Sequence, residues 1–194
     1  MQYPIELSFK RLALGQRITA TDANGQVVMF IKQKMFRLKE HVDVYSDPSQ
    51  ERLLFTIKAD RVIDFSANYH FADANENDWG AVRRHGMKSL WSAHFDILQD
   101  GVVEMSVREE SVMKRFLESL LGEIPILGMV AIYLINPSYL VTRSDGTPVL
   151  RLTKRPAIFE GRFTLDKLSE MPEDDELRSL LAILMAVLLE RRRG

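Results

Sequence analysis

"DDELRSLLAILMAVLLERRRG" occupies residues 174–194, and within it Leu180 to Leu189 is apolar without a break. Such a segment belongs in a bilayer, against a partner, or inside its own fold. A helix from Glu176 to Glu190 rises only about 22 Å at 1.5 Å per residue. Crossing roughly 30 Å of hydrocarbon takes about 20 apolar residues, and Arg178 would fall inside the span. A surface helix carries a polar stripe, which Leu180 to Leu189 lacks, so this helix is expected to be buried on every side. Asp174, Asp175 and Glu176, following Pro172, suit a helix start, and Arg191 to Arg193 suit its end, each complementing the helix dipole.

The rest of the chain supplies a container. Turn signals recur at "DANG" (22–25), "SDPSQE" (46–51), "DANEND" (73–78), "QDG" (99–101) and "SDGTP" (144–148). Between them, apolar and polar residues alternate. In "SLWSAHFDIL" Trp91, Ala93, Phe95 and Ile97 share one face, with Ser92, His94 and Asp96 opposite. In "IFEGRFTL" Phe159, Phe163 and Leu165 oppose Glu160, Arg162 and Thr164. Half-buried antiparallel strands need this period of two. Noisier runs lie at 27–33, 42–46, 52–58, 61–65, 68–72 and 148–153. Strands of five to seven residues extend about 17–23 Å, matching the helix, and barrels of about 11 strands enclose a central helix. The expected fold is mainly β: a closed antiparallel barrel of about 12 strands around the apolar C-terminal helix. One amphipathic helix is expected in "SVMKRFLESLLGE", with Val112, Phe116, Leu117, Leu120 and Leu121 at helical spacing, Ser111 as N-cap and Gly122 as stop.

At 194 residues, without repeat or linker, residues 1–194 are expected to form a single domain. A net charge of −1 gives no global attraction to nucleic acid or an anionic membrane, so any such binding needs a local patch. No nucleic-acid partner is expected. The absence of cysteine removes disulfides, thiol catalysis and cysteine zinc sites, and suits a reducing compartment. "MQYPIELSFKRLALG" lacks the form of a signal peptide. The expectation is a cytoplasmic protein with no transmembrane span.

The order of the stretches "FIKQKMFRLKEHVDVYSD" (30–47), "IKADRVIDFSANYHFAD" (57–73), "WGAVRRHGMKSLWSAHFDI" (79–97) and "LVTRSDGTPVLRLTKRPAIFEGRF" (140–163), together with the terminal helix, resembles the tubby C-terminal-like barrel. Tubby, phospholipid scramblases and LURP-one-related proteins share that barrel, and the chain is most similar to the bacterial form of the last. The resemblance covers nearly the whole chain and implies a barrel of about 12 strands around the C-terminal helix. Scramblases carry a calcium-binding loop. Here "DANENDWGAVRR" offers Asp73, Asn75 and Asn77 but has Asp78 where the loop needs glycine and Arg84 where it needs glutamate, so an acidic hairpin turn is expected and no metal. Tubby binds phosphoinositides on the barrel exterior, which implies an anionic ligand on the outer wall.

Enzyme signatures are missing: no G-x-S-x-G, Walker loop, G-x-G-x-x-G or H-E-x-x-H occurs. Ser92, His94 and Asp96 stand about 7 Å apart along one strand face, too far for a triad. His41, His70, His85 and His94 have no metal-ligand spacing and read as polar strand-face residues. Basic residues carry more. Lys32 and Lys34 share a strand face, and Arg83, Arg84, His85 and Lys88 surround a turn expected at Gly86. Such patches hold phosphate; solvated barrel walls use the same residues against edge aggregation. The sequence therefore supports a non-enzymatic, cofactor-free binding module. Its expected ligand is an anionic lipid headgroup or phosphorylated group, taken by Lys32, Lys34, Arg83, Arg84 and Lys88. Attachment would be peripheral, at the inner membrane face. The alternative is a hydrolase-like enzyme with a site at a barrel mouth.

Overall fold

Alternating residues form twelve antiparallel strands in the computed structural model, which describes residues 1–12, 15–34, 41–60, 67–85, 94–110, 138–155 and 161–190. They are β1 (Ile5–Leu12), β2 (Gly15–Thr21), β3 (Val27–Lys34), β4 (His41–Tyr45), β5 (Leu53–Ala59), β6 (Asn68–Asp73), β7 (Asp78–Arg84), β8 (His94–Gln99), β9 (Val102–Glu109), β10 (Ser138–Arg143), β11 (Pro148–Arg155) and β12 (Gly161–Lys167). Each pairs with its neighbour in sequence, and β12 returns to β1, closing the sheet into a barrel. In the closing seam Ile5 stands opposite Leu165 and Leu7 opposite Phe163, all in the core. Closure leaves no free edge among the twelve described strands. The run expected at 61–65 and the amphipathic helix expected at 111–122 lie outside the described residues, as do Arg191 to Arg193.

The lumen holds helix α1 (Glu173–Glu190). Leu180 through Leu188 are each at most 6% exposed, so the ten-residue apolar run is the centre of the fold. Inward side chains from the wall, among them Ile5, Met29, Phe71, Phe95, Ile97 and Leu165, complete the same core. The 18-residue helix is about 27 Å long, comparable with the wall that surrounds it. Its first turn, Glu173 to Glu176, is acidic, as a helix N-terminus favours.

Turn chemistry is repeated at one end of the barrel. In residues 22–26, 73–77 and 143–147 the first residue donates its N–H to the fifth residue's carbonyl, at 2.9, 3.0 and 2.9 Å. The fourth residue donates back to the first and has positive φ: Gly25, Glu76 and Gly146. Aspartate stabilises each turn. Asp22 Oδ1 accepts the N–H groups of Asn24 and Gln26, Asp73 Oδ1 those of Asn75 and Asn77, and Asp145 Oδ1 that of Thr147. The hairpins thus place carboxylates at the barrel end where α1 begins, hereafter the turn end.

Candidate functional site

Strand direction sorts charge along the barrel axis. The turn end carries Asp22, Asp47, Asp73, Asp100 and Asp145 from its hairpins, and Glu173 to Glu176 from the start of α1. The far end gathers Lys10, Arg17, Lys32, Lys58, Arg84, Lys154, Arg155 and Arg162 on strands β1, β2, β3, β5, β7, β11 and β12. Carboxylates at that end include Asp43, Asp96 and Glu110. Among the described residues, with Arg52, Arg143 and Lys167 at the turn end and Asp60 and Glu109 at the far end as exceptions, acidic groups favour the turn end and basic groups the far end.

On the outer wall of the far end, Lys10 of β1 stands opposite Arg17 of β2, and Arg17 opposite Lys32 of β3. All three are exposed, because their neighbours Phe9, Ile18 and Ile31 face the core. Side chains directly opposite on adjacent strands lie about 4.5–5.5 Å apart at Cβ, where like charges are mutually destabilising. The same wall continues with Arg162 of β12 opposite Arg155 of β11, and Lys58 of β5 between His41 and His70.

Of the residues expected from sequence to bind an anion, Lys32, Arg83 and Arg84 do not share one face. Lys32 faces outward in the basic row, and Lys34 ends β3 two residues further on. Arg83 and Arg84 are successive on β7 and take opposite faces. Arg83 turns outward, and its Nη2 donates to Asp96 Oδ2 at 2.9 Å. The Arg84 guanidinium lies 5.9 Å from the ring centroid of the buried Phe95. Lys88 lies outside the described residues. Lys10 and Arg17 were missed by sequence reading, although both are equidistant from the connection at 13–14, as opposite positions on a hairpin must be.

A second cluster occupies the outer wall of β7–β9. His85 donates its backbone N–H to the His94 carbonyl at 2.9 Å, extending the ladder one residue beyond β7. Their rings stack at 4.5 Å with 21° between planes. Asp96, two residues along the same face of β8, is buried and contacts both: His85 Nε2 through Oδ2, and His94 Nε2 through Oδ1 at 3.3 Å. Arg108 Nε approaches His94 Nε2 at 3.3 Å from β9. Burial tends to raise the Asp96 pKa, but hydrogen bonds from His85 and Arg83 and the positive charges around it outweigh that and hold the carboxyl below its usual range. Burial, followed by the charges of Arg108 and His85, pushes His94 below its ordinary value. His85 and His94, which read from sequence as polar strand-face residues without metal-ligand spacing, are here paired by register.

At the turn end, Lys167 Nζ bridges Glu170 and Glu176 at 2.7 and 2.6 Å, which holds its pKa above the usual value. Asp73, whose Oδ2 also accepts the Asn77 side-chain amide at 2.8 Å, has both oxygens engaged in its own turn.

Residues 27–121 match the LURP-one-related family. The LURP-one-related match runs from β3 through β9, including Lys32 and the His–Asp cluster. The solved structure of an Arabidopsis thaliana protein is similar at 15% identity, covering 95% of this chain and 91% of that chain with a TM-score of 0.45. No curated protein gives a significant match. No helix among the described residues is long and apolar enough to cross a membrane.

Proposed function

We propose that the protein is a non-enzymatic module that binds phosphate-bearing anionic ligands, lipid headgroups foremost, through the basic far end of its barrel. The observation that carries this reading is the row Lys10, Arg17 and Lys32, three exposed cations opposite one another on consecutive strands. Three positive charges set on adjacent strands create a local potential that attracts an anion. Each basic residue near an anionic surface contributes about 1 kcal/mol, so the row, with Arg155 and Arg162 beside it, supports reversible peripheral attachment.

Supporting a binding role over an enzymatic one, α1 fills the lumen that a substrate would enter, and Lys167 ties β12 to the start of α1. We read the whole chain as one LURP-one-related barrel of the tubby C-terminal-like superfamily, in its bacterial form, working in the cytoplasm at the inner face of the membrane. The twelve-strand closed order and the central helix support the barrel part of that reading.

The test is sedimentation of purified protein with vesicles containing phosphatidylserine or a phosphoinositide, beside neutral phosphatidylcholine vesicles, with soluble inositol phosphate as competitor. Binding to anionic vesicles that soluble phosphate displaces supports a phosphate-recognising site. Binding that only a membrane surface elicits assigns the ligand to the bilayer. No binding to either at low salt refutes the proposal.

A further inference from the structure

We propose that His85, His94 and Asp96 form a site for one divalent transition-metal ion of the zinc class on the outer wall of the barrel. Their ligand atoms all lie within 4.8 Å of one another. His94 Nε2 and Asp96 Oδ1 are 3.3 Å apart. Two ligands at roughly 2.1 Å from a tetrahedral ion stand about 3.4 Å apart, so this pair already has the spacing of a coordinated edge.

Two of the three ligands stand on β8, and His85 follows β7 by one residue, still in ladder register with His94. Register on β7 and β8 sets the two imidazoles side by side, and the period of two places Asp96 on the same face. Sites carried on strands hold their geometry better than sites on loops. Arg83 Nη2 donates to Asp96 Oδ2 and fixes the carboxylate from behind, the role outer hydrogen bonds play around metal ligands. Two imidazole nitrogens with one carboxylate oxygen suit zinc, cobalt, nickel or copper. Calcium and magnesium require sets of oxygen ligands. Three protein ligands leave the fourth position open to solvent.

Two features oppose the ion and shape the test. His85 and Asp96 sit closer than two ligands of one metal, so the exposed His85 ring must swing outward to admit it. Arg108 donates to His94 Nε2, the nitrogen a metal would take, and its charge repels a cation. Arg108 is exposed and can turn away. Replacing it should therefore strengthen binding.

Cobalt(II) titrated into the full-length chain reports coordination through its visible absorption, with zinc as competitor. The expected result is saturation at one ion per chain. His85→Ala and His94→Ala should each weaken binding by about tenfold or more, and Arg108→Gln should tighten it. His41→Ala, a substitution at the exposed His41–Asp43 pair, serves as control and should leave affinity unchanged. Thermal melting of each variant beforehand separates loss of a ligand from loss of the fold. Absence of saturable cobalt binding in both the wild type and Arg108→Gln overturns the site, as does wild-type affinity in folded His94→Ala.

Discussion

Arg178 of α1 donates through Nε to the carbonyl oxygen of Trp79 on β7 at 2.9 Å, tying the core helix to the wall across 99 residues of chain. Its Nη1 reaches Asp175 Oδ1 at 2.8 Å and Glu104 Oε2 at 3.4 Å, so a buried guanidinium is satisfied on several sides. Space for this contact comes from Gly80. At φ +95° a Cβ there would lie 2.2 Å from the Leu98 carbonyl oxygen and 3.2 Å from Arg178 Cδ.

Gly80→Ala should therefore lower stability by more than about 2 kcal/mol, combining left-handed strain with a backbone clash. Gly25→Ala shares the positive φ but meets nothing within 4 Å, and should cost only the left-handed strain of about 1–2 kcal/mol. Urea denaturation of the two variants separates strain from collision. Equal losses would mean that the wall at Gly80 yields freely.

Leu184 tests whether the lumen is dry. It is 1% exposed at the middle of α1, so Leu184→Asp buries a carboxylate without a partner at a cost of several kcal/mol. Whole domains have only about 5–15 kcal/mol to lose. Deleting residues 174–194 should likewise leave an unfolded or insoluble chain. A truncated protein that melts cooperatively near the intact protein's temperature would show that the barrel does not need its helix.

Local pattern made most of this fold readable. The unbroken apolar run from Leu180 to Leu189 has no polar face to offer solvent, and its length fits a strand wall better than a bilayer, so burial in a barrel followed directly. Alternation gave the inward set on β8 and β12 correctly: Phe95 and Ile97, Phe163 and Leu165. What the pattern did not carry was pairing between strands. Arg83 and Arg84 read as one patch because they are adjacent in sequence, yet a strand sends adjacent residues to opposite faces. Lys10, Arg17 and Lys32, and likewise His85 and His94, become neighbours only through register, which depends on where each turn and bulge falls.

The aspartate turns make a prediction in both pH and metal. The Asn77 side-chain amide, with backbone N–H groups, holds the Asp73 carboxyl below its ordinary value; hydrogen bonds within their own turns do the same at Asp47 and Asp145. For groups depressed by folding, the stabilisation is fully present above the unfolded pKa, about 3.9. It is lost as pH falls through the lower folded value. Acid unfolding should begin below pH ~4, and Asp73→Ala should flatten that limb, as measured by melting temperature against pH. Because both Asp73 oxygens serve the turn, millimolar calcium should leave the melting temperature unchanged. A bound ion at a hundredfold excess over its dissociation constant would add about 2.7 kcal/mol, and a saturable shift of that size, abolished by Asp73→Ala, would contradict the assignment.

Binding through the basic far end is tested most directly by reversing its central row. Arg17→Glu with Lys32→Glu changes two exposed side chains, and exposed charges contribute little to folding, so the variant should melt like the wild type. Co-sedimentation with anionic vesicles is then compared at low salt and near 1 M salt, where the Debye length has fallen to about 3 Å. The wild type should bind at low salt and release at high salt, and the doubly reversed protein should bind at neither. Equal retention of wild type and variant on anionic vesicles, or no retention of the wild type at low salt, would contradict it.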